Sequence, residues 1–306
     1  MRTVVTTVVL SAALAVAGCG PASGLAAHAK KGQILAVGAE SEYSDVISQV
    51  GGRYVSTTAV MDKPSTDPHT FESSPSVAQA VGSAELVVQN GLGYDDFMQK
   101  IEQATSKPKR ETIDVQHVLN LPGSIPNPHL WYQPSTMPAV ADAIAGDLSA
   151  IQPAHAAYFR QNVARFTQSL VAWNQALGTL RSAFPNAPVA TTEPVADYLL
   201  QAAGLNILTP WAFQADVMNG VDPSPQDTTF VKGLLTGHKV KAFVYNQQVT
   251  DSLTKSMLAL AQQNHIPVVG VYETMPTPGY NYQKWMQAEV QALHKALANA
   301  TSTTKL

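Results

Sequence analysis

Short apolar runs alternate with helical periodicities along most of this 306-residue chain. Ile34-Leu35-Ala36-Val37-Gly38 reads as a buried strand, and Tyr43 to Val50 as the helix after it, stopped by Gly51-Gly52. Val55 to Val60 is a second strand and Ser76 to Val81 a helix. Leu86 to Asn90 is a third strand, ended by Gly91; Asp95 to Ala104 is a helix and Glu111 to Val115 a fourth strand. The pattern resumes with strands at Pro188 to Thr191, Ala242 to Asn246 and Val268 to Tyr272. Helices are predicted between and after them at Pro194 to Ala203, Ser252 to Asn264 and Tyr282 to Asn299. Strands alternating with helices predict βα units and mostly parallel sheets.

Between the two halves, Phe159, Val163, Phe166, Leu170, Trp173, Leu177, Leu180 and Phe184 step alternately by four and three. Such a stripe predicts one continuous amphipathic helix. Pro153 suits its first turn and Pro185 its end. At ~1.5 Å per residue it would span roughly 45 Å. A shorter helix carrying Val140, Ile144, Leu148 and Ile151 precedes it. The stripe could serve a coiled-coil dimer, but it contains aromatics and lacks sustained e/g charges. The expectation is a monomeric α/β protein of two lobes, each a mostly parallel sheet flanked by helices. The lobes are expected over residues 32–152 and 185–306, with a connecting helix over 153–184.

The first residues have a different character. Arg2 precedes an apolar stretch from Val4 to Val16, closed by the small residues Ala17-Gly18 and then Cys19. This is the layout of a secretory signal, too short to span a membrane. Val-Ala-Gly-Cys resembles a bacterial lipoprotein cleavage box. That resemblance implies a signal peptide over 1–18, a lipid on Cys19 and a flexible tether over 19–31. Cys19 is the only cysteine, so an intramolecular disulfide and a thiolate metal site are both excluded. A net charge of -3 argues against a nucleic-acid partner, which requires a basic face.

Two tripeptides carry the chemistry. His69 follows Asp67-Pro68 and His129 follows Asn127-Pro128, each with an aromatic residue close behind, Phe71 and Trp131. Proline restricts itself and its predecessor, so each histidine occupies a stiff, non-helical position. Both lie beyond strands of the first half, where open α/β sheets bind ligands. In the second half, Glu193 follows one strand and Glu273 ends the last. Two neutral imidazoles and two carboxylates balance a divalent cation and fill a four-protein-ligand shell, an arrangement for carrying rather than catalysis. Trp131, Phe71, Tyr245 and Tyr272 are candidate walls. His28, His117, His155, His238, His265 and His294 read as structural or solvated. Gly91-Leu92-Gly93 is not a dinucleotide fingerprint, because Asp96 stands where the third glycine belongs.

Asp67-Pro68-His69-Thr70-Phe71-Glu72, then Asn90-Gly91-Leu92-Gly93-Tyr94, then Asn127-Pro128-His129-Leu130-Trp131 resemble the metal-binding receptors of bacterial manganese and zinc ABC importers. The likeness covers nearly all of the chain after Cys19. It implies two α/β lobes joined by one helix, with Mn2+ or Zn2+ as the transported ligand in the cleft. It places the ligands on His69, His129, Glu193 and Glu273. It implies an ABC permease and its ATPase as partners and the extracytoplasmic face of the cell membrane as the location. The chain departs from the family in two motifs: Asn127 stands where aspartate is usual, and Glu273-Thr274-Met275-Pro276 is a less typical fourth motif. A histidine-rich loop, common in zinc-dedicated receptors, is absent. With two carboxylates the set is harder than a three-histidine one, which leans toward manganese. A secreted zinc-dependent hydrolase and an adhesin of the same fold are the alternatives. No His-Glu-x-x-His stretch supports the first, and the receptor class predicts no enzymatic activity.

Overall fold

The computed structural model describes residues 29–63, 71–105, 107–276 and 278–306. The signal peptide expected over 1–18, Cys19 and His69 therefore lie outside the described residues. The first lobe runs β1 (Ile34–Glu40), α1 (Ser41–Gly51), β2 (Val55–Met61), α2 (Pro75–Ser83), β3 (Leu86–Gln89), α3 (Asp96–Ala104), β4 (Glu111–Asp114) and α4 (Val115–Val118). Three helices follow: α5 (Thr136–Ile151), α6 (Ala156–Ser169) and α7 (Val171–Ala183). The second lobe runs β5 (Pro188–Thr191), α8 (Asp197–Ala202), β6 (Asn206–Ile207), α9 (Trp211–Met218), α10 (Pro225–Thr236), β7 (Ala242–Asn246), α11 (Ser252–Gln263), β8 (Val268–Val271) and α12 (Tyr282–Asn299).

Each lobe holds a four-stranded parallel sheet, ordered β2-β1-β3-β4 and β6-β5-β7-β8. The fold class is the two-lobed α/β arrangement that the strand and helix pattern predicts. In both sheets the order reverses beside the first strand, between β1 and β3 and between β5 and β7. A crevice opens at such a switch point, outside the carboxyl ends of the strands. The central strands β3 and β7 are buried at every residue, as expected where helices cover both faces.

One apolar core runs through both lobes. It joins Ile34, Tyr43 and Leu86 of the first to Val189, Val244 and Trp285 of the second. Phe159, Phe166, Leu170, Trp173 and Leu180 all sit in it, so the connecting stripe is buried within the chain. The single long helix is in fact two, α6 and α7, which meet at Leu170. Neither proline nor glycine breaks it. The Ser169 hydroxyl donates to the Phe166 carbonyl at 2.6 Å, and the Leu170 amide reaches back only to Thr167. Side-chain bonds of this kind compete with the helix ladder and bend it. The helix read as starting at Pro194 begins at Asp197, because residues 192–196 form turns over the end of β5. β6, α9 and α10 go unread in the sequence; β6 is two residues long and offers no periodicity.

Trp173 is buried where the connector meets α12, edge-on to Tyr282 at 6.0 Å. Trp173→Ala is expected to cost about 3–5 kcal/mol, read as a lower urea midpoint with an unchanged far-UV spectrum.

Candidate metal centre

The loop that carries His129 is fixed from beneath by the end of β3. Asn90 donates through Nδ2 to the Pro128 carbonyl at 2.8 Å and accepts the Tyr43 hydroxyl at 2.6 Å. The Asp95 carboxylate accepts the backbone N–H groups of Asn90 and Gly91, at 2.6 and 2.9 Å. Gly91 has φ +78, and a Cβ there would lie 2.7 Å from an Asp114 oxygen. The position therefore needs glycine both for its conformation and for its space. The motif Asn90-Gly91 thus acts as a platform for the second Pro-His loop.

His129 is fully buried. Asn127 Oδ1 faces its Nδ1 at 2.7 Å and its backbone N–H at 3.1 Å. The Asn127 amide is oriented by its other end, since Nδ2 donates to the Pro194 carbonyl at 2.9 Å. An amide oxygen can only accept, so Nδ1 of the imidazole carries a hydrogen, and it is Nε2 that in the neutral ring offers the lone pair. Nε2 points across the cleft and lies 3.5 Å from Glu273 Oε2. Asparagine here does what aspartate could not: it orients the histidine and also donates to the opposite lobe.

From the second lobe, Glu193 follows β5 and Glu273 follows β8, both buried. Asn246, the last residue of β7, ties them together. Its Nδ2 donates to Glu193 Oε1 at 3.1 Å and Glu273 Oε1 at 2.6 Å. Its own orientation is set by Oδ1, which accepts the Gln248 N–H at 2.9 Å. The Gln248 side chain in turn accepts the N–H groups of Glu273 and Thr274, at 2.5 and 2.8 Å. Tyr94 donates its hydroxyl to Glu273 Oε2 at 3.0 Å. Among the described residues no group of three or more His, Cys, Asp or Glu stands at metal-holding separation. His129 and Glu273 approach directly, and Glu193 joins them through the Asn246 amide.

Of the candidate walls, Trp131 packs edge-on to His129 at 5.3 Å, and Tyr94 does so at 5.7 Å. Phe71 pairs instead with Phe97 at 4.8 Å, and Tyr245 belongs to a separate core with Phe243. Tyr272 contributes its backbone, whose carbonyl accepts the Tyr132 hydroxyl at 2.8 Å. A cavity of about 310 Å³ opens beside the cleft, lined by Leu92, Tyr94, Pro128, Trp211 and Met218 among others. His155 stacks on Tyr54 at 3.7 Å, and His294 lies edge-on to Phe184. Asn246, Gln248 and Tyr94 were not singled out as site residues in the sequence. A polar residue ending a buried strand was the available signal for Asn246.

The surroundings are rich in buried acid. Burial pushes Glu42 up to about 8, against hydrogen bonds from its own N–H, Ser41 and the Met275 N–H. Asp95 is raised to about 7 by burial. Glu40, at the end of β1, is raised by burial and then by Asp95 and Glu42. Glu289 is raised to about 8 by burial, despite accepting from Trp285 and Tyr132.

Residues 37–296 match the family model described as "Zinc-uptake complex component A periplasmic". The chain belongs to that family. It is 30% identical over 176 residues to the manganese-binding lipoprotein MntA of Bacillus subtilis, and that match covers 56% of each chain. It therefore spans just over half the length of that relative. It is 21% identical over 262 residues to the manganese ABC transporter substrate-binding lipoprotein PsaA of Streptococcus pneumoniae, covering 80% of this chain and 81% of PsaA. The solved structure of the SBP FpvC from Pseudomonas aeruginosa in complex with Mn2+ superposes with a TM-score of 0.71. It is 20% identical, and the match covers 87% of this chain and 98% of FpvC. That likeness shows the shared fold.

Raised carboxyl pKa values have a definite sign. The folded state keeps the proton on Glu289 up to about pH 8, whereas the unfolded chain loses it near 4.3. The contribution is present in full below the unfolded value and is lost as pH rises toward 8. Stability should fall by roughly 1 kcal/mol per pH unit per such group. Glu289→Gln is expected to flatten that slope in urea unfolding measured from pH 5 to 8.

Proposed function

We propose that this chain is the extracytoplasmic receptor of an ABC importer, and that it captures Mn2+ or Zn2+ through His69, His129, Glu193 and Glu273. The observation that carries the reading is the approach of His129 Nε2 to Glu273 Oε2 across the cleft, with Glu193 tied to the same carboxylate by Asn246. A neutral imidazole nitrogen and two buried carboxylates suit a divalent ion, which would neutralise charge that the protein interior otherwise tolerates poorly. Metal binding exchanges the Asn246 contacts for direct coordination. His69, outside the described residues, supplies the second imidazole.

Four protein ligands leave no open position for a reacting water, so the site carries metal and does not catalyse. The receptor is a monomer tethered by a lipid on Cys19, and it delivers its ion to a permease driven by an ATPase. Its lobes, 32–152 and 185–306, are joined by 153–184, and the core shared between them keeps the hinge motion small. Two carboxylates favour manganese, the metal named for both MntA and PsaA.

His129→Ala and Glu273→Ala should each weaken Mn2+ binding by more than the ~100-fold that loss of an outer partner can cost. Elemental analysis of the purified variants checks this; stoichiometric metal in both would overturn the site. Binding should also weaken in mild acid, because ligand histidines must be neutral. A titration flat between about pH 5 and 7.5 would count against histidine ligands.

A further inference from the structure

The last residues of the chain lie past the family match, which ends at residue 296. After α12, Ala300 takes a left-handed conformation, φ 51, and the chain turns back along the open edge of the second sheet. Thr303 pairs in parallel with Val269 on β8. Its N–H donates to the Val268 carbonyl and its carbonyl accepts from Gly270, both at 2.8 Å. The Ser302 hydroxyl accepts the Val268 N–H at 3.0 Å. The segment thus occupies the hydrogen-bonding groups of what would otherwise be an exposed edge strand.

Two further contacts tie this segment to the site. Gly270 is the one glycine of β8, and a Cβ there would run into the Thr304 backbone, 2.8 Å from its carbonyl carbon. A glycine inside a strand marks a place where another backbone approaches closely. At the far end, the Leu306 N–H donates to the Tyr272 hydroxyl at 3.2 Å. Tyr272 is therefore held at its ring by the tail and at its backbone by Tyr132 of the first lobe. The next residue is Glu273.

We propose that residues 301–306 form a positioning strap that fixes β8 and Tyr272, and through them sets Glu273 in the metal centre. Among the described residues the strap touches no ligand itself. It removes the freedom of the strand end that carries the carboxylate, so the ion meets a preset oxygen. This rests on the reading of Glu273 as a metal ligand.

Three variants test it: the chain ended after Ala300, Gly270→Ala, which expels the strap without shortening the chain, and Tyr272→Phe, which removes only the hydroxyl that Leu306 reaches. Mn2+ affinity, the visible spectrum of bound Co2+ and amide hydrogen exchange at residues 271–274 are measured beside far-UV circular dichroism. The expected result is an approximately tenfold loss of Mn2+ affinity on truncation, the size of an outer-partner effect, with an altered Co2+ spectrum and faster exchange. Tyr272→Phe should give a smaller loss of the same kind and add nothing to the truncation. Parental affinity, spectrum and exchange in both the truncated chain and Gly270→Ala would overturn the strap. Faster exchange in a chain whose full-length form binds neither Mn2+ nor Co2+ would instead overturn the metal reading and, with it, the strap's role in setting a ligand.

Discussion

Glu273 is wholly buried, and a carboxylate removed from water needs hydrogen bonds, a counter-charge or a proton. The architecture around the cleft answers that need. Asn246 and Tyr94 donate to its oxygens, Gln248 holds its backbone, and His129 faces it from the opposite lobe. These contacts come from both halves of the chain. The geometry of the site is therefore a property of how the two sheets meet, and each lobe alone holds only part of it.

The meeting of the lobes is correspondingly stiff. Polar ties cross it close to the site: Asn127 to Pro194, Tyr198 to Asn127, Tyr132 to Tyr272 and Met275 to Ser41. Further out, Tyr282 donates its hydroxyl to the Trp131 carbonyl at 2.6 Å, and its N–H reaches Asp45. Tight packing beneath these bonds makes a continuous deformation costly. Lack of water pushes the buried acids Glu42 and Glu289 up to about 8, so near neutrality they add little repulsion to the carboxylates in the cleft.

Much of the fold is legible in the sequence because its elements bury one clear face or two. The strands at 34–38, 86–90, 242–246 and 268–272 read as short apolar runs, two of them closed by polar residues (Gln89-Asn90 and Asn246), the mark of parallel strands covered on both sides. The connector reads as one helix because its stripe is continuous; the division at Leu170 goes with the Ser169 hydroxyl bonding back to the Phe166 carbonyl, which no periodicity reports. Short elements such as β6 and the turns after β5 carry too few residues for a period to emerge. In the cleft, the sequence singles out His129, Glu193 and Glu273 by residue type and place. It is silent on Asn246 and Gln248, whose importance comes only from where their amide groups point.

The sequence by itself determined two parallel α/β lobes, an internal apolar connector and a set of hard donors at strand ends. Those follow from local spacing and from the chemistry of single residues. Only the tertiary structure decided that Nε2 of His129, rather than Nδ1, faces the second lobe, that one asparagine spans two carboxylates, and that the tail lies against Gly270. Each of these depends on contacts between residues far apart in the chain. Hydrogen-bond direction and steric exclusion across such contacts have no periodicity along a sequence, so they are fixed only when the lobes pack.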